Sequence, residues 1–215
     1  MKYFNPMVST STFFGVLTAI FLWHSPQKAT EGHPSRGEIR KEVRAWQKEQ
    51  KRAFSDPATS PLDSAALAQF KRLPFYPINY GAYQAVKWER CADSAWFEMP
   101  TTTARKPIYR KYATLYFTHS DGQTYSLIAY QSQALLDKEE YENYLFVPFG
   151  DATNGSDTYG GGRYVEVTRG EWILDFNKAY NPYCAYSGRY SCPKVPLENI
   201  LSIPILAGTK YAGQH

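Results

Sequence analysis

Histidine is scarce in this chain, and the scarcity removes whole classes of chemistry. Four histidines occur in 215 residues: His24 and His33 in an N-terminal segment, His215 at the very end, and His119 alone in the body of the chain. A Ser-His-Asp triad, or a zinc site with several imidazole ligands, therefore lacks its parts. Neither G-x-S-x-G nor a P-loop nor C-x-x-C occurs. Any acid or base would have to be a carboxylate, Tyr, Lys or Cys.

Cysteine is almost as rare, with Cys91, Cys184 and Cys192. In an oxidising compartment Cys184 and Cys192 would close the small loop PYCAYSGRYSC, with Gly188 for the reversal, adding roughly 2–3 kcal/mol. The competing reading is two buried free thiols; the disulfide is the expectation. Charge of one sign is also in short supply. The net charge of +4 arises largely between Ser35 and Phe54, where seven Lys or Arg face three Glu. The remainder is near neutral, so no nucleic-acid partner is indicated.

Long apolar runs are limited to one. Phe13–Trp23 (FFGVLTAIFLW) carries no charge and follows Lys2. Eleven residues suit the core of a secretory signal, whereas a spanning helix wants roughly 20. Residues 1–24 are therefore expected to be a signal peptide or a short membrane anchor, and 25–37 a polar linker. The body, 38–211, would be one exported domain, periplasmic or anchored facing the periplasm, with 212–215 a tail. Membrane contact would run only through the N-terminal segment.

What is abundant is aromatic: 18 Tyr, 12 Phe and 5 Trp, with Gly and Pro at 14 each. That balance favours strands and turns. Ser35 with Glu38 makes a capping-box pattern ahead of a helix running to Phe54, with Ile39, Val43 and Trp46 on one face. Ser60-Pro61-Leu62-Asp63 reads as the start of a second, short helix ending before Pro74. Strands are expected at 80–89, 109–118, 123–131, 144–149, 163–168 and 172–177, and a last one, 200–206, would close the sheet. Asp121-Gly122 marks a hairpin. The fold class is mainly β (α+β): an antiparallel sheet rolled into a barrel or sandwich, with one or two N-terminal helices.

The segment 149–192 concentrates Asp, Asn, Arg and Gly among apolar strand residues. Its motifs FGDATNGSDTYGGGRYVEV and LDFNKAYNPYCAYSG, followed by CPKVPLENILSIPILAGTKY, resemble the C-terminal signature of the family catalogued as domain of unknown function 1684. The upstream SPLDSAALAQFKRLPFYPINYGAYQAV is similar to it too, so the likeness runs from about Glu38 to Tyr211. The resemblance implies bacterial proteins of similar size, often exported, with no established activity and no implied cofactor.

Within this segment, strands 163–168 and 172–177 flank Arg169-Gly170-Glu171 as a hairpin loop. Facing 165 with 175 puts Arg163, Asp175 and Asn177 on one side and predicts an Arg163–Asp175 ion pair. As a site, Arg163 would bind an oxygen, Asp175 would be the base, and the amides of Gly160-Gly161-Gly162 would offer an anion nest. Asp151, Thr153, Tyr159, Gly161, Tyr180 and Asn181 complete the candidate ligand-binding set. As structure, the same cluster would tie turns to the sheet. Asp151 and Asp157 are weak metal candidates; Asx-turns account for them without metal. Two functions follow. The first is a non-enzymatic domain binding a small ligand, a glycan or an envelope partner. The second is a carboxylate-dependent hydrolase around Arg163, Asp175 and Asn177, with a divalent cation as a possible helper. Glycan binding would show as a solvent-facing row of coplanar rings.

Overall fold

The computed structural model describes residues 33–211, so the expected signal or anchor, most of the linker and the tail lie outside the described residues. The chain opens with α1 (Arg36–Ser55), capped as its sequence demands: the Ser35 hydroxyl accepts from the Glu38 amide while Glu38 reaches back to the Ser35 amide. Ile39, Val43 and Phe54 turn inward along one stripe. The second helix, α2, spans Ser64–Gln69 and is capped by Asp63. It starts later than the Ser60-Pro61 pattern suggests, because Ser60 is occupied elsewhere. Its hydroxyl donates to the Phe54 carbonyl and accepts from the Leu62 amide, closing the turn after α1. Among the described residues, no helix is long and apolar enough to cross a membrane.

Eight short strands follow: β1 (Tyr83–Ala85), β2 (Lys87–Arg90), β3 (Phe97–Glu98), β4 (Ile108–Thr118), β5 (Thr124–Ser132), β6 (Tyr144–Phe149), β7 (Arg163–Thr168) and β8 (Ile173–Asp175). The run expected as one strand from Tyr80 is broken instead into a 3-10 turn, β1 and β2. Strands β2-β4-β5-β6-β7 form one antiparallel sheet, with β3 also paired to β4, while β1 and β8 make a separate two-stranded sheet. The result is a sandwich-like α+β fold; of the two forms expected, the closed barrel is not the one adopted. His119–Gly122 turns β4 into β5, with Gly122 at φ 81.

Strand alternation divides the interior. Leu145, Val147 and Phe149 of β6, with Val165 and Val167 of β7, point into the main core beneath Leu174, Phe176 and the C-terminal residues Leu201, Ile203, Ile205 and Ala207. Phe146 and Tyr164, one residue out of phase, face a second cluster with Met99, Tyr130 and Cys192. Each such aromatic or Leu side chain contributes about 1.5–3 kcal/mol on burial. The expected closing strand at 200–206 alternates in burial but does not join the ladder. It touches the sheet through one parallel bridge, Gly150 to Ile200, and then through Ala152 donating to the Ile203 carbonyl. Pro204, which has no N–H, interrupts any continuous pairing there.

Two expectations on pairing fail together. β7 and β8 do not form a hairpin: β7 pairs with β6, and β8 crosses to β1 with Asp175 opposite Tyr83. The cause lies in the turn. Trp172, expected to begin the strand, sits at φ 52, a left-handed conformation that costs a bulky residue roughly 1–2 kcal/mol. The chain therefore leaves β7 rather than doubling back along it. Stacking of the Trp172 indole on Trp88 at 4.0 Å, and the Val86 amide donating to the Trp172 carbonyl, hold that departure in place.

Candidate functional site

The arginine that the sequence singles out is sealed. Arg163, with no exposed surface, donates to Asp151 at 2.7 Å and to the carbonyls of Ala207 at 2.5 Å and Ile205 at 2.8 Å. The Phe149 ring lies 5.2 Å from its guanidinium carbon. Asp151 is equally buried, and its other oxygen accepts from the Thr153 amide at 2.8 Å. The pair ties the start of β7 to the C-terminal segment and to the 151–158 loop. The expected Arg163–Asp175 ion pair is not formed, because abandoning the hairpin puts Leu174 and Phe176 on the Arg163 side and turns Asp175 away.

Asp175 instead takes Asn177 as its partner. One oxygen accepts from the Asn177 backbone amide at 3.0 Å and from its side chain at 2.8 Å. Asn177 also exchanges two hydrogen bonds with the backbone of Asn79. The second carboxylate oxygen, Oδ2, is buried without any hydrogen-bond partner, although the residue is only 5% exposed. Burial holds the carboxyl above the usual Asp range, against the opposing pull of Asn177 and Lys178.

Asp175 lines a cleft of about 560 Å³ between α1 and the β7–β8 region. Six carboxylates border it: Glu42, Glu139, Glu140, Glu166, Glu171 and Asp175. The single ammonium is that of Lys178, which is already paired with Glu42. Glu166 accepts from the hydroxyls of Tyr180 at 3.0 Å and Tyr144 at 3.3 Å, both through Oε1. Burial, reinforced by this carboxylate, raises both phenols well above the ordinary Tyr value.

The sequence-derived set is thus divided among separate places. Asp175 and Tyr180 reach the acidic cleft. Asp151 and Thr153 are buried in their loop, where the Thr153 and Thr158 hydroxyls meet at 2.8 Å. Asp157, the other weak metal candidate, lies 3.0 Å from Lys210 and accepts from Tyr76, so the two acids serve different cations. Lys210 lowers the Asp157 carboxyl, while burial and that hydrogen bond push Tyr76 up to about 12. Tyr159 and Gly161 line a different cavity of about 330 Å³ with Cys184 and Lys194. The anion nest is not open there, since the Gly162 amide donates to the Tyr159 carbonyl. Asn181 is buried and donates to the Tyr186 hydroxyl.

The expected disulfide is absent. Cys184 and Cys192 are brought together as free thiols, the Cys184 amide donating to the Cys192 sulfur at 3.2 Å. Hydrogen bonding from Cys192 lowers the Cys184 thiol to about 7, and the reciprocal interaction with burial raises Cys192.

Sequence reading missed Glu42, Trp46, Tyr144, Glu166 and Lys178 as cleft residues. They come from α1, β6, β7 and the turn after β8, and no local motif joins them. It also missed Asn199, wholly buried, whose side chain accepts from the Ile128 amide at 2.7 Å and donates to the carbonyls of Ile128 at 2.9 Å and Pro148 at 2.7 Å. That amide bridges β5 and β6 where their own ladder is a single residue pair, Tyr130 with Phe146.

Comparison with known proteins fits this architecture. The solution NMR structure of an uncharacterized protein of Haloarcula marismortui is similar to this chain at 30% identity and a TM-score of 0.64, over 83% of this chain and 97% of that one. No curated protein matches. The family model described as protein of unknown function (DUF1684) matches residues 68–210, most of the described domain and all of the acidic cleft except its α1 wall, and the chain belongs to that family.

Proposed function

We propose that this protein is an exported, non-enzymatic β-domain that binds a small ligand in the acidic cleft, with the Arg163–Asp151 pair holding its architecture. One observation carries the ligand reading: the Oδ2 of Asp175 is a buried charged acceptor with no donor, set in the wall of a cavity large enough for a small molecule. An unmet acceptor of this kind costs stability, and a ligand donor is the natural means of meeting it. The hydrolase alternative needs Arg163 and Asp175 to converge on one substrate, and they face different surroundings. Its oxygen-binding group is sealed, and no second activated nucleophile stands beside Asp175.

Export rests on the apolar Phe13–Trp23 run behind Lys2. For the glycan variant of the reading, the most prominent ring stack gives little support. Trp88 and Trp172 lie face to face at 4.0 Å, with Tyr112 behind them, so the ring faces are turned to each other.

Native mass spectrometry of the protein purified from its own cells tests the ligand reading. A small-molecule mass excess is expected on the wild type and none on Asp175→Asn. A bare mass on the gently purified wild type would overturn it. Cell fractionation tests export, and recovery in the cytosol would overturn that part.

A further inference from the structure

Resting on the reading of the acidic cleft as a ligand site, we infer that its ligand is an amphipathic amine: a protonated primary ammonium on an apolar body. Charge sets the head group. Six carboxylates border the cleft against one lysine, and that lysine is neutralised by Glu42. An anion would be repelled, and a neutral molecule would leave the field uncompensated. The unpartnered Oδ2 of Asp175 sharpens the choice, because it requires a donor hydrogen. A primary ammonium supplies both charge and N–H, whereas a quaternary ammonium supplies charge alone. A bare metal ion fits poorly: among the described residues no group of three or more His, Cys, Asp or Glu is gathered closely enough to hold one.

The apolar body follows from what adjoins the cleft. Trp46, Tyr144, Glu166 and Tyr180 belong also to a neighbouring depression of about 470 Å³, whose further walls include Tyr109, Phe146, Tyr164 and Tyr190. The two spaces are therefore continuous through Glu166 and the tyrosines that donate to it. A ligand with its ammonium at Asp175 would lay its body along this aromatic wall. Aromatic faces also favour the cation itself.

The test titrates the full chain with phenethylamine, its neutral isostere 2-phenylethanol and its trimethylammonium analogue, by calorimetry and by chemical shifts at Trp46 and Tyr180. Phenethylamine is expected to bind at least about tenfold more tightly than either control, the value of one charge-assisted hydrogen bond. Added salt should weaken it. Asp175→Asn, which keeps the acceptor used by Asn177, is expected to remove that preference while the protein still melts cooperatively. Glu166→Gln should weaken the amine through charge without touching the Asp175 network. Equal binding of alcohol and amine, or an amine preference surviving in Asp175→Asn, would overturn the inference. So would the absence of any amine binding up to about 10 mM. A neutral native ligand seated at Trp46 and Tyr180 would sink the amine and leave the ligand site standing. A native ligand bound elsewhere would sink both.

Discussion

Arg163 holds Asp151, twelve residues earlier in the chain, at 2.7 Å with neither side chain exposed. Because the guanidinium is satisfied there and by two backbone carbonyls, Asp175 is left with Asn177 as its hydrogen-bonding neighbour. A cluster that the sequence joins is in this way separated into an architectural tie and an exposed cleft with an unmet acceptor. The predictions below follow from that separation.

Removing the guanidinium strands a buried carboxylate. Arg163→Met is expected to lose about 3–5 kcal/mol in urea denaturation. Adding Asp151→Leu should recover part of the loss by removing the uncompensated charge. Recovery stays partial because Asp151 also accepts from the Thr153 amide. A single mutant as stable as the wild type would show that the pair is not buried as described.

Asp175 makes stability fall as pH rises. Its folded carboxyl lies above the unfolded Asp value, mainly through burial. The folded state therefore binds the proton more tightly, and the contribution is full below the unfolded value near 3.8 and is lost as pH climbs through the raised one. Asp175→Asn removes this dependence. The variant should gain melting temperature over the wild type at pH 7 and lose that advantage at about pH 4. An advantage unchanged across that range would contradict the assignment.

Asn199 stands in for missing strand pairing. Asn199→Ala leaves the Ile128 amide and two buried carbonyls without their partners, and the expected loss is roughly 3 kcal/mol. Hydrogen exchange should place the effect first at the Ile128 amide. If that amide keeps its protection in the variant, the bridging role fails.

Cys184 should be the reactive thiol. Its value of about 7 gives a thiolate near neutral pH, so iodoacetamide labelling should rise with a midpoint close to 7. Cys192→Ala removes the largest cause of the lowering and should move the midpoint upward. A midpoint that stays put would show that Cys192 is not that cause.

Gly208 allows the C-terminal segment to reach Arg163. It lies at φ 80, and a Cβ there would come within 2.6 Å of the Ala179 carbonyl oxygen. Gly208→Ala is expected to cost well over 1 kcal/mol, combining backbone strain with a clash that rigid backbone cannot relieve. A melting curve matching the wild type would show that the segment moves freely.

Local rules were readable from the chain. The α1 cap, the Asp-Gly hairpin and the cores of β4 to β7 depend on neighbours within a few residues, and Ser35, Glu38 and Gly122 state them openly. The long C-terminal motifs carried the family. Asp175 and Tyr180 could be named as candidate ligand residues, and the Asp151 loop as an Asx-turn. Sequence could also exclude histidine chemistry, because absence of a residue type needs no coordinates.

Partner choice across the fold was decided only in three dimensions. One left-handed residue, Trp172, sends β8 to β1 instead of back to β7, and a single such turn reassigns the faces of everything after it. Arg163 then meets Asp151, and Asp175 meets the cleft. The acidic wall is assembled from α1, β7 and β8, whose spacing along the chain carries no shared period. Local propensity fixes what a segment becomes, whereas long-range packing fixes which charge it finds, and that is why composition could rule functions out but only the tertiary structure could show an acceptor waiting for a donor.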